Sequence, residues 1–124
     1  MSRTNQSLGR LGERIAEKFL ASRGYWILHR NFSTPFGEID LVAKQADFTV
    51  FLEVKTRISE KFGSPLSSIT KDKQGHILKN CRFYLKKYRL YGEPCRIDVI
   101  SINLNKMGNL KTLNHVKNAI VIKE

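Results

Sequence analysis

Two stretches rich in β-forming residues, 38–44 and 48–57, are separated only by Gln45, Ala46 and Asp47, and that short break constrains what the chain can become. Strands so close in sequence pair as an antiparallel hairpin, whose register follows from which residues make the turn. A turn at Gln45-Ala46 sets Glu38 opposite Glu53, whereas a turn at Ala46-Asp47 sets Asp40 opposite Glu53. Side chains alternate faces along a strand, so Glu38 and Asp40 share a face, as do Glu53 and Lys55. Either register brings three carboxylates and one ammonium onto the same sheet face. A three-residue loop would put the two sets on opposite faces.

The remaining elements follow from periodicity. Leu8, Leu11, Ile15 and Phe19 form one apolar stripe and predict a helix over residues 7–23, ended by Gly24. Gly9 and Gly12 lie beside that stripe, where they would permit close approach of another element. Residues 25–31 read as a strand, and Thr34-Pro35-Phe36-Gly37 as a turn. Residues 58–68 contain Gly63 and Pro65 and read as a loop. A second helix is expected over 69–89, with Ile77, Cys81, Tyr84, Leu85 and Tyr88 on one face. Lys71, Lys79, Arg82, Lys86 and Arg89 gather on its other side. Gly75 inside it costs about 1 kcal/mol relative to Ala. Residues 94–104 form a further strand, 105–109 a turn, and 110–122 an additional C-terminal strand and tail. The order αβββαβ, with that extra strand, is an α/β fold: a mixed β-sheet flanked by helices. A chain of 124 residues holds one domain, with its core over about 7–104 and a tail from 105.

Charge bears on partners. Twenty-two Lys and Arg against 11 acidic residues give a net charge of +11. Such an excess suits a polyanion such as nucleic acid, and also serves solubility or attraction to anionic membranes and acidic proteins. No apolar run approaches the roughly 20 residues of a membrane span, and residues 1–10 carry no apolar signal-peptide core, so the expected location is cytoplasmic. Cys81 and Cys95 lack metal-binding spacing and are expected to be buried small hydrophobes. His29, His76 and His115 are scattered and assigned to surface or core, and Tyr25, Trp26, Tyr84 and Tyr88 to the core.

The acidic hairpin stands out against this basic background. Like charges on adjacent strands repel, and a hard cation removes the repulsion because Mg²⁺ takes oxygen ligands. Lys55 could then stabilise charge developing on a phosphoryl group or orient an attacking water. The plainer alternative is a solvated strand face carrying ordinary surface ions.

An Asp, a gap, then Glu-x-Lys on the next strand resembles the signature of the PD-(D/E)xK nucleases. The longer series is more specific: Gly9-x-x-Gly12-Glu13, Arg30-Asn31, Gly37-Glu38-Ile39-Asp40-Leu41-Val42-Ala43, Phe51-Leu52-Glu53-Val54-Lys55-Thr56-Arg57, Lys73-Gln74 and Arg96-Ile97-Asp98-Val99-Ile100. It is similar to a small, largely uncharacterised bacterial family, the YraN type, with a restriction-endonuclease-like fold resembling Holliday junction resolvases. The resemblance covers about residues 7–102, with Ile39 standing where the superfamily motif has proline. It implies a Mg²⁺- or Mn²⁺-dependent endonuclease acting on DNA rather than RNA, including structured or branched DNA. Asp40 and Glu53 would be metal ligands, with Glu38 a ligand or a group behind one. The Val54 carbonyl could supply a further oxygen. Lys55 would be the catalytic cation, Glu13 the extra acidic residue of resolvase-like sites, and Asp98 a structural carboxylate or a group behind a ligand rather than a ligand itself. Lys71, Lys73, Gln74, Lys79, Arg82, Lys86 and Arg57 are the expected nucleic-acid contacts. A homodimer would suit cutting both strands of a junction. Two other classes fit the same residues: a non-catalytic nucleic-acid-binding module and a protein-interaction subunit with a basic surface.

Overall fold

The computed structural model describes residues 5–58 and 69–122; the expected loop lies outside the described residues from residue 59 on. Helix α1 spans Asn5–Ser22, followed by strands β1 (Trp26–Thr34), β2 (Gly37–Gln45) and β3 (Phe48–Ile58). Helix α2 spans Lys71–Lys87, and strands β4 (Cys95–Leu104) and β5 (Leu110–Ile120) follow. The strands form one sheet in the order β1-β2-β3-β4-β5. Neighbours are antiparallel except β3 and β4, which run parallel across the α2 crossover. A parallel pair needs such a crossover and is normally covered on both faces. Here β4 is buried from Ile97 to Leu104. The expected α/β sheet flanked by helices is therefore what forms, with the C-terminal strand completing its edge.

Each helix covers one face. Ala16 and Leu20 of α1 pack on Leu41, Ala43, Val50, Leu52, Val54 and Ile100, with the predicted stripe Leu8, Leu11, Ile15 and Phe19 partly buried around them. Cys81, Tyr84 and Leu85 of α2 pack on Ile39, Val42, Phe51, Ile97 and Val99. Thr70 caps α2, its hydroxyl accepting from Lys73 N–H, and the helix runs unbroken through Gly75. Arg89, placed on this helix from its spacing, lies past its end with φ +55°.

The two glycines of α1 differ. A Cβ at Gly12 would stand 1.7 Å from Thr56 Oγ1, so bare backbone is what lets α1 settle on β3. A Cβ at Gly9 would meet nothing within 4 Å, so packing does not explain its cost to the helix, about 1 kcal/mol relative to Ala.

Two aromatic residues assigned to the core are not in it. Trp26 is 74% exposed because it opens an edge strand with its side chain turned outward, while Tyr25 just before it is buried. Tyr88 caps the end of α2 and is half out, its ring 4.6 Å from that of the buried Tyr84. Among the described residues, no helix is long and apolar enough to cross a membrane.

A polar knot ties β5 to the sheet. Asp98 is fully buried and accepts from Arg96 Nε at 3.1 Å, from the Asn118 N–H at 2.9 Å and from His115 Nε2 at 2.8 Å. Arg96 in turn donates to Tyr25 Oη at 2.7 Å and to Gln45 Oε1 at 3.2 Å. Asn118 reaches the carboxylate because the β4–β5 register shifts there and its φ is +52°. Asp98 is thus structural, as expected, while His115 is its partner rather than an isolated side chain. Burial alone would raise the Asp98 pKa, yet the bonds from His115, Asn118 and Arg96 outweigh it and hold the carboxyl below its usual 3.8.

Two outcomes follow from this packing. Gly12→Ala should lower stability by roughly 1–3 kcal/mol, because the helix must lift off Thr56; an unchanged urea midpoint would show slack between α1 and β3. Asp98→Ala should cost roughly 3–5 kcal/mol at neutral pH by orphaning its partners. Because the folded pKa is depressed, the stabilisation from Asp98 is present above pH 3.8 and lost as pH falls through the folded value. Urea titrations of wild type and Asp98→Asn between pH 7 and pH 2 should therefore converge in acid.

Candidate metal-ion centre and its cleft

The hairpin adopts the second of the two registers. Gln45 pairs with Phe48 and Leu41 with Leu52, so the turn is Ala46-Asp47, with Ala46 at φ +51°. Asp40 therefore faces Glu53, but the ladder stops one step short of them. In its place Val54 N–H donates to Asp40 Oδ2 at 2.8 Å, a side chain taking the bond a strand backbone would have taken. On the other side, Arg30 pairs with Leu41 and Phe32 with Ile39, while Asn31 between them has φ +48°.

This irregularity changes which side chains share a face. Ile39 packs in the core under α2 and Leu41 in the core under α1, so strict alternation fails at Asp40. The single face expected from the pleat, carrying three carboxylates and an ammonium, is replaced by a seam. Oxygens of Glu13, Glu38 and Asp40 come within 4.8 Å of one another, Glu13 arriving from α1. Glu53 lies outside this trio and is paired with Lys55, Nζ to Oε1 at 3.1 Å. Glu53 still shares with Glu38, Asn80 and Cys81 the lining of a hollow of about 10 Å³, room for about one water.

Two asparagines fix the arrangement. Asn31 Nδ2 donates to Glu13 Oε1 at 3.0 Å and to Glu38 Oε1 at 3.1 Å, bridging two like charges. The buried Asn80 on α2 donates to the Glu38 carbonyl at 3.3 Å and accepts from the Thr34 hydroxyl, which holds the turn before β2. Spacing alone did not reveal either residue; Arg30-Asn31 stood within the family-like series, and Asn80 carried no signal beyond its place on the apolar side of α2.

Asp40 bears most of the electrostatic stress. Burial, then the Glu53 charge, pushes its pKa up to about 8; the Val54 N–H opposes this, and Glu13 and Glu38 add to it. A hard cation is the counter-charge such a site fits. Its donors are all carboxylate oxygens, the ligand type Mg²⁺ takes.

A cleft between α1 and β1–β2 leads to the trio. One hollow of about 290 Å³ is lined by Arg10, Glu13, Arg14, Glu17, Arg30 and Asn31. A second, of about 270 Å³, shares Arg10, Glu13 and Asn31 and adds Gln6, Gly9 and Glu38. Arg30 is engaged by Glu17, whose carboxyl it holds below the usual range. The residues expected to touch nucleic acid sit elsewhere. Lys71, Lys73, Lys79, Arg82 and Lys86 are exposed along α2, with Lys79 over the Phe36 ring. The Gln74 side chain turns back to the Ile69 carbonyl, and Arg57 Nε donates to Asn103.

Residues 12–102 match the uncharacterised protein family UPF0102. A UPF0102 protein of Dictyoglomus turgidum is 39% identical over 115 residues, covering 93% of this chain and 98% of that relative. One from Thermodesulfovibrio yellowstonii is 43% identical over 116 residues, covering 90% and 94%. Among solved structures, an fdxN element excision controlling factor protein from Anabaena variabilis aligns at a TM-score of 0.44 with 11% identity, covering 84% of this chain and 98% of that one.

The raised Asp40 pKa sets a sign for stability. In metal-free protein, ionising Asp40 is resisted by the fold, so stability falls as pH rises from about 4 toward about 8. Each pH unit between the two values is worth about 1.4 kcal/mol. Asp40→Asn keeps the acceptor for Val54 N–H and removes the penalty. In EDTA it should melt above wild type at pH 9 and level with it near pH 4; parallel curves would contradict the assignment.

Proposed function

The chain belongs to the uncharacterised protein family UPF0102, and we propose that it is a divalent-metal-dependent endonuclease hydrolysing phosphodiester bonds in DNA. The observation that carries this reading is the convergence of Glu13, Glu38 and Asp40 within 4.8 Å in a chain of net charge +11. Like charges held this close are costly, and a cation bridging them to a phosphate would turn that cost into affinity.

Glu13, Glu38 and Asp40 would hold Mg²⁺ or Mn²⁺, with the Glu53 charge adding to the field across the seam. Such an ion, when bound, polarises a phosphoryl oxygen and acidifies a water. Asn31 and Val54 N–H orient the carboxylates so that their oxygens converge. Lys55, paired with Glu53 on the strand facing Asp40, would provide the ammonium that stabilises charge on the phosphoryl oxygens or orients the attacking water. The basic surface, including the α2 residues Lys71, Lys79, Arg82 and Lys86, draws the polyanion in. Branched or otherwise structured DNA is the proposed substrate, and cutting both of its strands calls for a two-fold pair of chains.

Labelled single-stranded, duplex, flap and four-way-junction DNA, with RNA beside them, would be incubated with Mg²⁺, Mn²⁺ or EDTA. Cleavage is expected with either metal, to be absent in EDTA, and to fall by on the order of 10²–10³-fold in Lys55→Ala. Tight, salt-sensitive binding without cutting in any metal would replace this reading with a non-catalytic binding module.

A further inference from the structure

The cleft has a second wall whose chemistry the carboxylates do not use. Arg10 and Arg14 lie one turn apart on α1, both exposed, and both line the hollow that ends at Glu13 and Asn31. No hydrogen bond or ion pair ties either guanidinium to another described residue, whereas Arg30 across the same hollow is spent on Glu17. Gly9, one turn before Glu13 on the same helix, lines the adjoining hollow with Arg10, Glu13, Asn31 and Glu38. Gly9 weakens the helix and is not needed for packing, since a Cβ there would meet open space, unlike one at Gly12. What the missing side chain provides is clearance: anything longer than hydrogen at Gly9 would project into the approach to the carboxylates.

We propose that the α1 wall formed by Gly9, Arg10 and Arg14 seats the sugar-phosphate backbone of the nucleic acid strand presented to the carboxylate trio. The proposal rests on the endonuclease reading and adds to it which surface grips the strand. Guanidinium forks bind phosphate oxygens in pairs, and the helical spacing of about 6 Å lets two of them engage neighbouring phosphates. A strand approaching three carboxylates is repelled by them, and Arg10 and Arg14 put the opposite charge along one wall of the cleft. The bare backbone at Gly9 allows the sugar-phosphate chain to lie against the helix. The α2 lysines, which line none of these hollows, serve long-range attraction rather than this seat.

The test compares wild type with Gly9→Ala, Gly9→Gln, the double variant Arg10→Gln/Arg14→Gln, and the triple variant Lys79→Gln/Arg82→Gln/Lys86→Gln. Thermal melting is followed first, then anisotropy of a fluorescein-labelled single-stranded oligodeoxynucleotide across a salt series in Ca²⁺. Cleavage of the best substrate in Mn²⁺ completes the set. The Gly9 variants should melt at or above wild type yet bind and cut at least ten-fold less well, Gln more affected than Ala. That split separates a substrate seat from a structural role. The double variant should lose ten-fold or more in affinity, with the slope of log K against log salt shallower by roughly 1.4 for two phosphate contacts on a single strand. Wild-type cutting that survives in the Gly9 and arginine variants but falls in the triple variant would overturn this seat and leave the endonuclease reading standing. A wild type that neither binds nor cuts any nucleic acid would overturn both.

Discussion

The hydrogen bond from the Val54 N–H to the Asp40 carboxylate lies where the fold and the candidate site become the same structure. Toward the turn, β2 and β3 are joined by an ordinary antiparallel ladder; at Asp40 the backbone pairing gives out and a side chain takes its place. Because the bond is made by a carboxylate, the strands can part without orphaning the Val54 donor, which is buried and would otherwise be costly. The parting lets Ile39 and Leu41 serve opposite cores while Asp40 stays at the seam between them. Asp40 thus receives Glu13 from α1 on one side and feels Glu53 from β3 on the other.

Everything around that seam holds it in place. Gly12 lets α1 sit directly on Thr56, which sets the depth at which Glu13 reaches the sheet. Asn80 pins the turn preceding Glu38 from the α2 side, so the trio is braced by both helices. At the far edge the Asp98, His115 and Arg96 knot secures β5 and reaches back to Tyr25 at the start of β1. Asp98, His115, Arg96 and Asn80 are satisfied by hydrogen bonds, the condition under which a charged interior is tolerated, whereas the buried Thr56 hydroxyl under α1 has no partner among the described residues.

Much of this was legible in the residues. The α1 stripe, the two strands of the hairpin and the α2 apolar face all follow their periods, and the short break limited the register to two choices, of which the structure takes one. What could not be read is local and physical. Alternation fails at Asp40, and Asn31 on the neighbouring strand enters the left-handed region, departures that alternation rules have no term for. Glu53, which spacing grouped with Glu38 and Asp40, is ion-paired with Lys55 while its charge still acts on Asp40. His115 looked solitary because its partner lies across a register shift in an edge strand that periodicity marked only weakly. Trp26 and Tyr88 were read as core from residue type alone; an edge position and a helix cap put them outside.

The central claim is that Glu13, Glu38 and Asp40 form one cation-binding centre, and Mn²⁺ titration followed by electron paramagnetic resonance tests it most directly. One Mn²⁺ should bind per chain in the wild type and be displaced by excess Mg²⁺, with affinity reduced at least ten-fold in Glu13→Gln and again in Asp40→Asn. Equal Mn²⁺ affinity in wild type and both variants would contradict it.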